Sequence, residues 1–186
     1  MPFTVIYDAC VLHPAPLRDL LIRVGMTGAV RARWTERILD ECFASILKRR
    51  TDLDAKVLAR TRQLMMRAIP DCLVKDYESL IDAVVLPDAN DRHVLAAAIH
   101  TGAQSIVTLN LKDFPALALS KYGIEAVHPD DFVLGVLDLA PGTACAAVAQ
   151  QAKDLANPPT TLDALFDVLR DQGLVRSVAQ FKVLMS

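Results

Sequence analysis

Residues 86–109 read LPDANDRHVLAAAIHTGAQSIVTL, and this stretch predicts the class of the fold. Its first part has the pattern of a well-capped helix, which Gly102 ends because glycine readily adopts the left-handed conformation at a helix C-terminus. The run SIVTL at 105–109 is short, apolar and β-branched, as in a strand that is buried on both faces. A helix that leads into a buried strand is typical of an α/β protein with a parallel sheet.

The same alternation extends over the first 127 residues. Phe3–Tyr7 (FTVIY) is an apolar run that predicts a first buried strand. Strands alternating with helices imply parallel pairing and right-handed crossovers, so we predict an α/β fold around a central parallel sheet. Further strands are predicted at 72–74 and Glu125–Val127, and helices at 16–24 (ended by Gly25 and Gly28), from Thr35 to Arg50, at 53–68, near 77–84 and at 112–121.

The sequence changes character after residue 130, where it becomes rich in alanine and helical in pattern. Pro141-Gly142, Pro158-Pro159 and Gly173 interrupt this region, and no further strand is predicted there. We therefore divide the chain into an α/β domain at 1–134 and a helical C-terminal extension at 135–186. The extension is expected to pack on the domain, for rigidity or for a protein partner.

The composition is that of one ordinary domain, with 186 residues of which 53% are hydrophobic. No apolar run approaches the roughly 18 residues of a membrane span, and the start MPFTVIYDAC lacks the features of a signal peptide. We expect a cytoplasmic protein without a membrane segment. The four cysteines are scattered without a C-x-x-C pair, so neither a disulfide framework nor a zinc site is predicted. We expect these cysteines to be buried and to pack like small hydrophobic residues.

Positive charge is concentrated between residues 18 and 67. The whole chain has a net charge of −2, but this segment holds twelve Lys and Arg against six Asp and Glu. A basic surface could recruit a nucleic-acid backbone by counterion release. The alternative is a solvated face on amphipathic helices. The residues we assign to contacts with such a backbone are Arg33, Arg37, Lys48, Arg49 and Arg50.

Acidic side chains stand where strands and helices should end or begin. Asp8 directly follows the first strand, while Asn110 and Asp113 come just after the strand at 105–109. Ligands of open parallel sheets bind beyond the carboxyl ends of the strands, so these residues are expected at one edge. Asp91 lies in the first turn of its helix, where the helix dipole favours a carboxylate.

Glu41 is predicted near the middle of its helix, on the face shared with Ile38 and Ser45. A carboxylate that faces inward needs a partner, and a metal ion is the first choice. Gathered carboxylates repel by about 4 kcal/mol per close pair at an effective dielectric constant near 20, which a cation relieves. Oxygen ligands without His or Cys select Mg²⁺ or Mn²⁺. The predicted reaction is metal-dependent hydrolysis of a phosphodiester.

Each acid also has a structural alternative. Asp88 and Asp91 form a D-x-x-D start that could be a helix N-cap with its reciprocal partner, and Asp113 could cap a helix beginning near residue 114. His93 and His100 lie seven residues apart on one predicted helix face. We interpret them as surface or core-edge residues rather than metal ligands.

The segments VIYDACVL, ERILDEC, PDANDRHVLAAAIHTGAQSIVTLNLKDFP and IEAVHPDDFV, within residues 3 to about 134, resemble the PIN-domain nucleases. More narrowly, they are similar to the VapC-type toxins of toxin–antitoxin systems. This resemblance implies a three-layer α/β/α fold with a parallel sheet. It also implies a cytoplasmic endoribonuclease that is inhibited by a small antitoxin protein and can form a homodimer.

The resemblance further implies a Mg²⁺ or Mn²⁺ site built from Asp8, Glu41 and Asp91. Many relatives carry a fourth acid two residues after the threonine of the T-x-N strand, where this chain has Asn110. The fourth contribution is therefore left open between Asp113 and Asn110, the latter through its carbonyl or a water. Thr108 could orient a ligand or water by its hydroxyl. The departure at Asn110 also leaves open a second hypothesis, a catalytically decayed PIN-like module that binds RNA or a partner.

Overall fold

The computed structural model describes residues 3–155 and 158–186 of the chain. Within them, four parallel strands form one sheet in the order β2-β1-β3-β4. The sheet places the first and third strands side by side at its centre, with Ile6 of β1 paired with Ile106 of β3. The strands are β1 (Phe3–Tyr7), β2 (Val30–Arg33), β3 (Ser105–Val107) and β4 (Glu125–Val127).

Helices connect and cover the strands. The predicted three-layer α/β fold with a central parallel sheet and C-terminal helices is confirmed. The helices are α1 (Ala9–Leu12), α2 (Ala15–Met26), α3 (Glu36–Arg49), α4 (Ala55–Ala68), α5 (Arg92–Thr101), α6 (Ala116–Leu119), α7 (Pro129–Leu139), α8 (Pro141–Asp154), α9 (Leu162–Asp171) and α10 (Val175–Leu184). Short 3₁₀ turns lie at Glu78–Ala83, Ala89–Asp91, Leu111–Asp113 and Ser120–Tyr122.

The edge strand β2 was not predicted, and the strand predicted at 72–74 is only an isolated bridge between Leu73 and Trp34. In β2, Val30 and Ala32 are buried, while Arg31 is exposed at the edge of the sheet. Alternate side chains of a strand point to opposite faces, so the apolar residues of β2 are buried while the basic residues reach solvent. Arg31 and Arg33 of β2 lie within the basic segment 18–67, whose other residues were predicted mainly as helices, so the strand was not recognised.

Several predicted helix boundaries shift. Gly25 does not end α2 but lies inside it. A Cβ atom at this position would stand 2.5 Å from Cδ1 of Ile69, so the glycine serves close packing and not helix termination. Gly102 ends α5 as predicted, with φ of +61°. The regions 77–84 and 112–121 form short 3₁₀ and α-helical turns rather than continuous helices.

The C-terminal helices pack against α2. The side-chain amide of Gln151 donates to the carbonyl of Pro16 at 2.8 Å, and Gln172 Oε1 accepts from the amide of Leu17 at 3.0 Å. Helix α7 runs through residues 134 and 135, where we placed the domain boundary. The division into two parts remains a prediction.

An aromatic cluster joins the sheet to α7. Tyr7 is fully buried, stacks on Trp34 with ring centroids 6.3 Å apart, and meets the edge of Phe132 at 5.8 Å. This packing ties the end of β1, and hence Asp8, to the centre of the molecule. Within the described part of the chain, every helix is too short or too polar to cross a lipid bilayer.

Candidate metal and nucleic-acid site

A cavity of about 400 Å³ opens beside the carboxyl end of β1, directly after Tyr7. It collects three of the four predicted acidic ligands together with Asn110, from segments that are far apart in the sequence. Its lining also includes polar side chains that the sequence analysis did not assign to a site. The residues around it include Asp8, Cys10, His13, Glu41, Ser45, Arg49, Asp91 and Asn110.

Asp8 is the most firmly held of the acids, with 5% of its surface exposed. Its Oδ1 accepts from the amide of Ala9 at 2.7 Å, which caps α1. Its Oδ2 accepts from the hydroxyl of Thr108 at 2.8 Å and from the thiol of Cys10 at 3.1 Å. These bonds fix the carboxylate at the end of the buried strand, where it borders the cavity.

The segment after β3 is tied to the same point. Thr108 is fully buried, and its hydroxyl accepts from the amide of Asn110 at 3.0 Å while donating to Asp8. The sulfur of Cys10 accepts from the amide of Leu109 at 3.2 Å. Burial, followed by the charge of Asp8, raises the pKa of Cys10 to about 12, so the thiol stays protonated at neutral pH. Cys10 is therefore a cavity residue, not the buried hydrophobic residue that we expected.

Asp91 stands at the start of α5 and borders the same cavity. Burial, followed by the charges of Asp8, Asp88 and Asp113, raises its pKa from 3.8 to about 6, against a smaller opposing effect of His93. Acidic residues raise one another's pKa values when their charges are close and poorly screened. The fold therefore holds these carboxylates together against their mutual repulsion.

Asp88 and Asp113 lie beside this group. Asp88 accepts from the amide of Asn90 at 2.8 Å and caps the 3₁₀ turn before α5, in agreement with the capping alternative. Asp113 ends the turn after β3 and does not cap α6, which begins after Pro115 without a side-chain cap. Asn110 borders the cavity, whereas Asp113 acts on it through its charge near Asp91.

Glu41 is exposed, with 41% of its side chain accessible, rather than inward-facing as predicted, and it has protein partners. Its carboxylate accepts from Arg37 Nε at 3.1 Å, and Nε2 of His93 lies 3.1 Å from it. Burial alone would raise the pKa of Glu41, but the hydrogen bonds and charges of His93 and Arg37 outweigh burial and lower it. His93 is 1% exposed and contacts Glu41, whereas we expected a histidine at the surface or at the edge of the core. The one feature of the sequence that pointed to the site was its position two residues after Asp91.

Arg49 supplies positive charge to the cavity lining. His13 also borders the cavity, and burial, followed by the charges of Arg49 and Arg18, lowers its pKa. His13 is therefore neutral at physiological pH, because its ordinary pKa is already below 7. The cationic group of this wall is the guanidinium of Arg49.

The other predicted basic residues lie outside the cavity. Arg50 makes two hydrogen bonds to Asp52, at 2.8 and 2.7 Å. Arg33 donates to the backbone carbonyl of Asp71 at 3.0 Å, beside the edge strand. Lys48 is exposed on α3. Arg37 is bound to Glu41, so Arg49 is the one of the five predicted basic residues that lines the cavity.

The donor set suits a hard divalent ion. Among residues 3–155 and 158–186, no three His, Cys, Asp or Glu side chains are grouped closely enough to hold an ion as they stand. Mg²⁺ is commonly bound through one or two carboxylates with several waters, which Asp8 and Asp91 could supply. Burial is the larger cause of the raised pKa of Asp91, and a cation would relieve the second cause, repulsion by the neighbouring acids. Glu41 and Asn110 border the same cavity and offer further oxygen ligands.

This fold and cavity can be placed among known proteins. The family model of the PIN domain matches residues 4–112, and the chain belongs to the PIN-domain family. A second family model, the VapC50 C-terminal domain, matches residues 129–182. The chain thus combines a PIN domain with a VapC50-type extension, which confirms the predicted resemblance.

A related protein of Mycobacterium tuberculosis (strain ATCC 25618 / H37Rv) is described as "Putative ribonuclease VapC50". The two are 48% identical over 82 residues, which are 44% of this chain and 48% of the relative. The match therefore spans about half the length of the curated relative. No solved structure shows significant similarity to the chain.

Proposed function

We propose that the chain is an endoribonuclease that uses Mg²⁺ or Mn²⁺ to hydrolyse phosphodiester bonds of RNA. The observation that carries the proposal is the arrangement of Asp8, Glu41 and Asp91 around one cavity at the carboxyl end of β1. The raised pKa of Asp91 supports it, because a site that gathers acids against their repulsion is suited to a cation. Membership of the PIN-domain family and similarity to a protein named as a ribonuclease point the same way.

In this proposal, Asp8 and Asp91 are the principal metal ligands. Asp8 is oriented by Thr108 and by the amide of Ala9, so that its carboxylate needs little reorganisation to bind an ion. Glu41 either completes the site or accepts a proton from the attacking water. Asp113 strengthens the negative potential at Asp91. A bound ion would lower the pKa of a coordinated water and neutralise charge on the scissile phosphate.

Arg49 is assigned to the phosphate backbone next to the acids. A guanidinium can form two parallel hydrogen bonds to a phosphate and keeps its charge at any physiological pH. Its position in the cavity lining supports this role better than those of Arg33, Lys48 or Arg50, which lie outside. Arg37 would instead act on Glu41, to which it is hydrogen-bonded.

The biological role proposed with this activity is that of a cytoplasmic toxin held inactive by an antitoxin protein, with a homodimer as the assembly. The match of residues 129–182 to the VapC50 C-terminal domain and the 48% identity over 82 residues to a protein named as VapC50 support it. Induction of the chain alone should arrest growth, and co-expression with the product of a short neighbouring gene should restore it. Growth that continues during induction of an active nuclease would remove the toxin role but leave the enzymatic one.

The enzymatic proposal is tested by cleavage of RNA with Asp8→Asn and the matched surface variant Asp138→Asn on α7. The first change keeps the size of the side chain but removes the charge needed by a cation. We expect Asp8→Asn to abolish cleavage in Mn²⁺ and to weaken Mn²⁺ binding, and Asp138→Asn to change neither. Unchanged cleavage by Asp8→Asn contradicts the assignment. A wild-type protein that binds RNA without binding Mn²⁺ would favour the decayed module.

A further inference from the structure

A buried histidine joins the two helices that carry Glu41 and Asp91. His93 lies on α5 two residues after Asp91, and its Nε2 lies 3.1 Å from the carboxylate of Glu41 on α3. We propose that His93 is a positioning residue that fixes Glu41 beside Asp91. The inference rests on the proposed function, since the position of Glu41 matters for catalysis only if the cavity is the metal site.

The surroundings of His93 determine which ring nitrogen carries the proton. A carboxylate can only accept hydrogen bonds when ionised, so Nε2 of His93 must be the donor to Glu41. Nδ1 is buried and has no hydrogen-bond partner in the described part of the chain. The geometry therefore assigns a proton to Nε2, where it is shared with Glu41.

The second partner of Glu41 holds it less firmly. Arg37 lies one helical turn before Glu41 on the same helix, and the side chains are 45% and 41% exposed. Exposed pairs of this kind contribute little because water screens them and both side chains lose freedom. His93, in contrast, has a side chain with 0% exposure and cannot change its rotamer without disturbing the core. The buried bond is therefore the one that sets the direction of Glu41.

His93 also connects the acids to each other. It lies two residues after Asp91 at the start of α5 and is hydrogen-bonded to Glu41 on α3, so it is near both carboxylates. An apolar residue at position 93 would pack in the core without an unpaired nitrogen such as Nδ1 of His93. A histidine that leaves Nδ1 unpaired but bonds Glu41 through Nε2 is expected where the position of the Glu41 carboxylate is important for function.

The test compares His93→Leu, which keeps an apolar volume, with His93→Gln, whose amide nitrogen can reach the place of Nε2. Loss of a hydrogen bond to a ligand typically costs about 10- to 100-fold in metal affinity or activity. We expect His93→Leu to weaken Mn²⁺ binding and to lower kcat by such a factor with little change in KM for RNA. His93→Gln should recover most of both. His100→Leu, the same change at an exposed histidine of α5 that does not border the cavity, is the matched control and should leave both unchanged.

A spectroscopic measurement keeps the proposal testable even if His93→Leu does not fold. In metal-free wild-type protein labelled with ¹⁵N-histidine, the nitrogen shifts of His93 should report a proton on Nε2. Glu41→Ala should move these signals, while those of the exposed His100 stay unchanged. An Nδ1–H tautomer, or signals insensitive to Glu41→Ala, would overturn the inference.

The outcomes also separate this inference from the proposed function. If wild-type protein cleaves RNA in Mn²⁺ and Asp8→Asn abolishes cleavage, the function stands. If His93→Leu then matches wild type in Mn²⁺ affinity and kcat, the positioning role alone is wrong. If wild-type protein neither binds Mn²⁺ nor cleaves RNA, the function fails and the inference fails with it.

Discussion

The hydroxyl of Thr108, which follows β3, donates a hydrogen bond of 2.8 Å to Oδ2 of Asp8, which follows β1. The two residues are 100 positions apart in the sequence and meet because their strands are neighbours in the sheet. The amide of Asp8 also donates to the carbonyl of Val107 at 3.1 Å. The end of one central strand thus orients the acidic residue at the end of the other.

Replacing Thr108 by Val, which keeps the shape but removes the hydroxyl, should weaken Mn²⁺ binding and RNA cleavage by about 10- to 100-fold. The reason is that Asp8 would lose a donor and the amide of Asn110 its acceptor. Thr108→Ser keeps the hydroxyl and should stay within a few-fold of wild type. Isothermal titration with Mn²⁺ measures the difference. Equal affinities for the Val and Ser variants would show that the hydroxyl does not orient Asp8.

Asp91→Asn should stabilise the metal-free protein at neutral pH while abolishing cleavage. Because the pKa of Asp91 is raised from 3.8 to about 6, its ionisation destabilises the folded state. This destabilisation is absent below about pH 3.8, develops between there and about pH 6, and is complete above about pH 6. One pKa unit corresponds to about 1.4 kcal/mol, but the side chain is partly exposed, so we expect a gain of only about 1 kcal/mol.

The measurement is thermal unfolding in a chelator at about pH 4 and pH 7, with Asp138→Asn on α7 as the control. The Asp91→Asn variant should match wild type at the lower pH and unfold at a higher temperature at the upper one. Adding Mn²⁺ should stabilise wild-type protein more than the variant, since only ligands bound to the folded state shift the equilibrium. A variant less stable than wild type at neutral pH would contradict the repulsion between the acids.

The parts of the fold that were predicted correctly have strong local signals. A run such as FTVIY can be buried on both faces only as a central strand, and an acid directly after it must then lie at the strand end. The strand β2 gave no such signal, because Arg31 and Arg33 interrupt its apolar residues. Whether alternating residues form an edge strand depends on the neighbouring strand, which the local sequence does not contain.

The candidate site also contains residues that the sequence predicted and contacts that it did not. Asp8 and Asp91 follow from their positions at element ends, and the structure brings both to one cavity. The contacts of Cys10 with Leu109 and of His93 with Glu41 join residues that are 99 and 52 positions apart. Such pairs depend on how helices and loops pack on the sheet. Periodicity can place a histidine on a helix face, but it does not show which carboxylate that face will meet.

Asp130 should be essential for docking the last helix, because this buried residue of α7 directs its carboxylate at the start of α10. It accepts from the amides of Arg176 and Ser177 at 3.0 and 2.8 Å, and the hydroxyl of Ser177 donates to its backbone carbonyl at 2.9 Å. Asp130→Ala leaves two buried donors without an acceptor and should lower the free energy of unfolding by about 1–3 kcal/mol. The matched control is Asp131→Ala, which removes only an exposed ion pair with Arg176. We expect less than about 1 kcal/mol there. Urea unfolding measures both, and equal losses would argue against anchoring through Asp130.

Arg49→Ala should weaken the binding of single-stranded RNA and reduce its salt dependence, whereas Arg50→Ala should do so much less. Both changes remove one positive charge, but Arg49 borders the cavity while Arg50 is bound to Asp52. Each phosphate contact to a single strand contributes about 0.7 to the slope of log affinity against log salt concentration. Fluorescence anisotropy in the Asp8→Asn background, where cleavage is prevented, measures this slope. If both variants lower it equally, RNA responds to the overall charge of α3, and the phosphate position assigned to Arg49 is wrong.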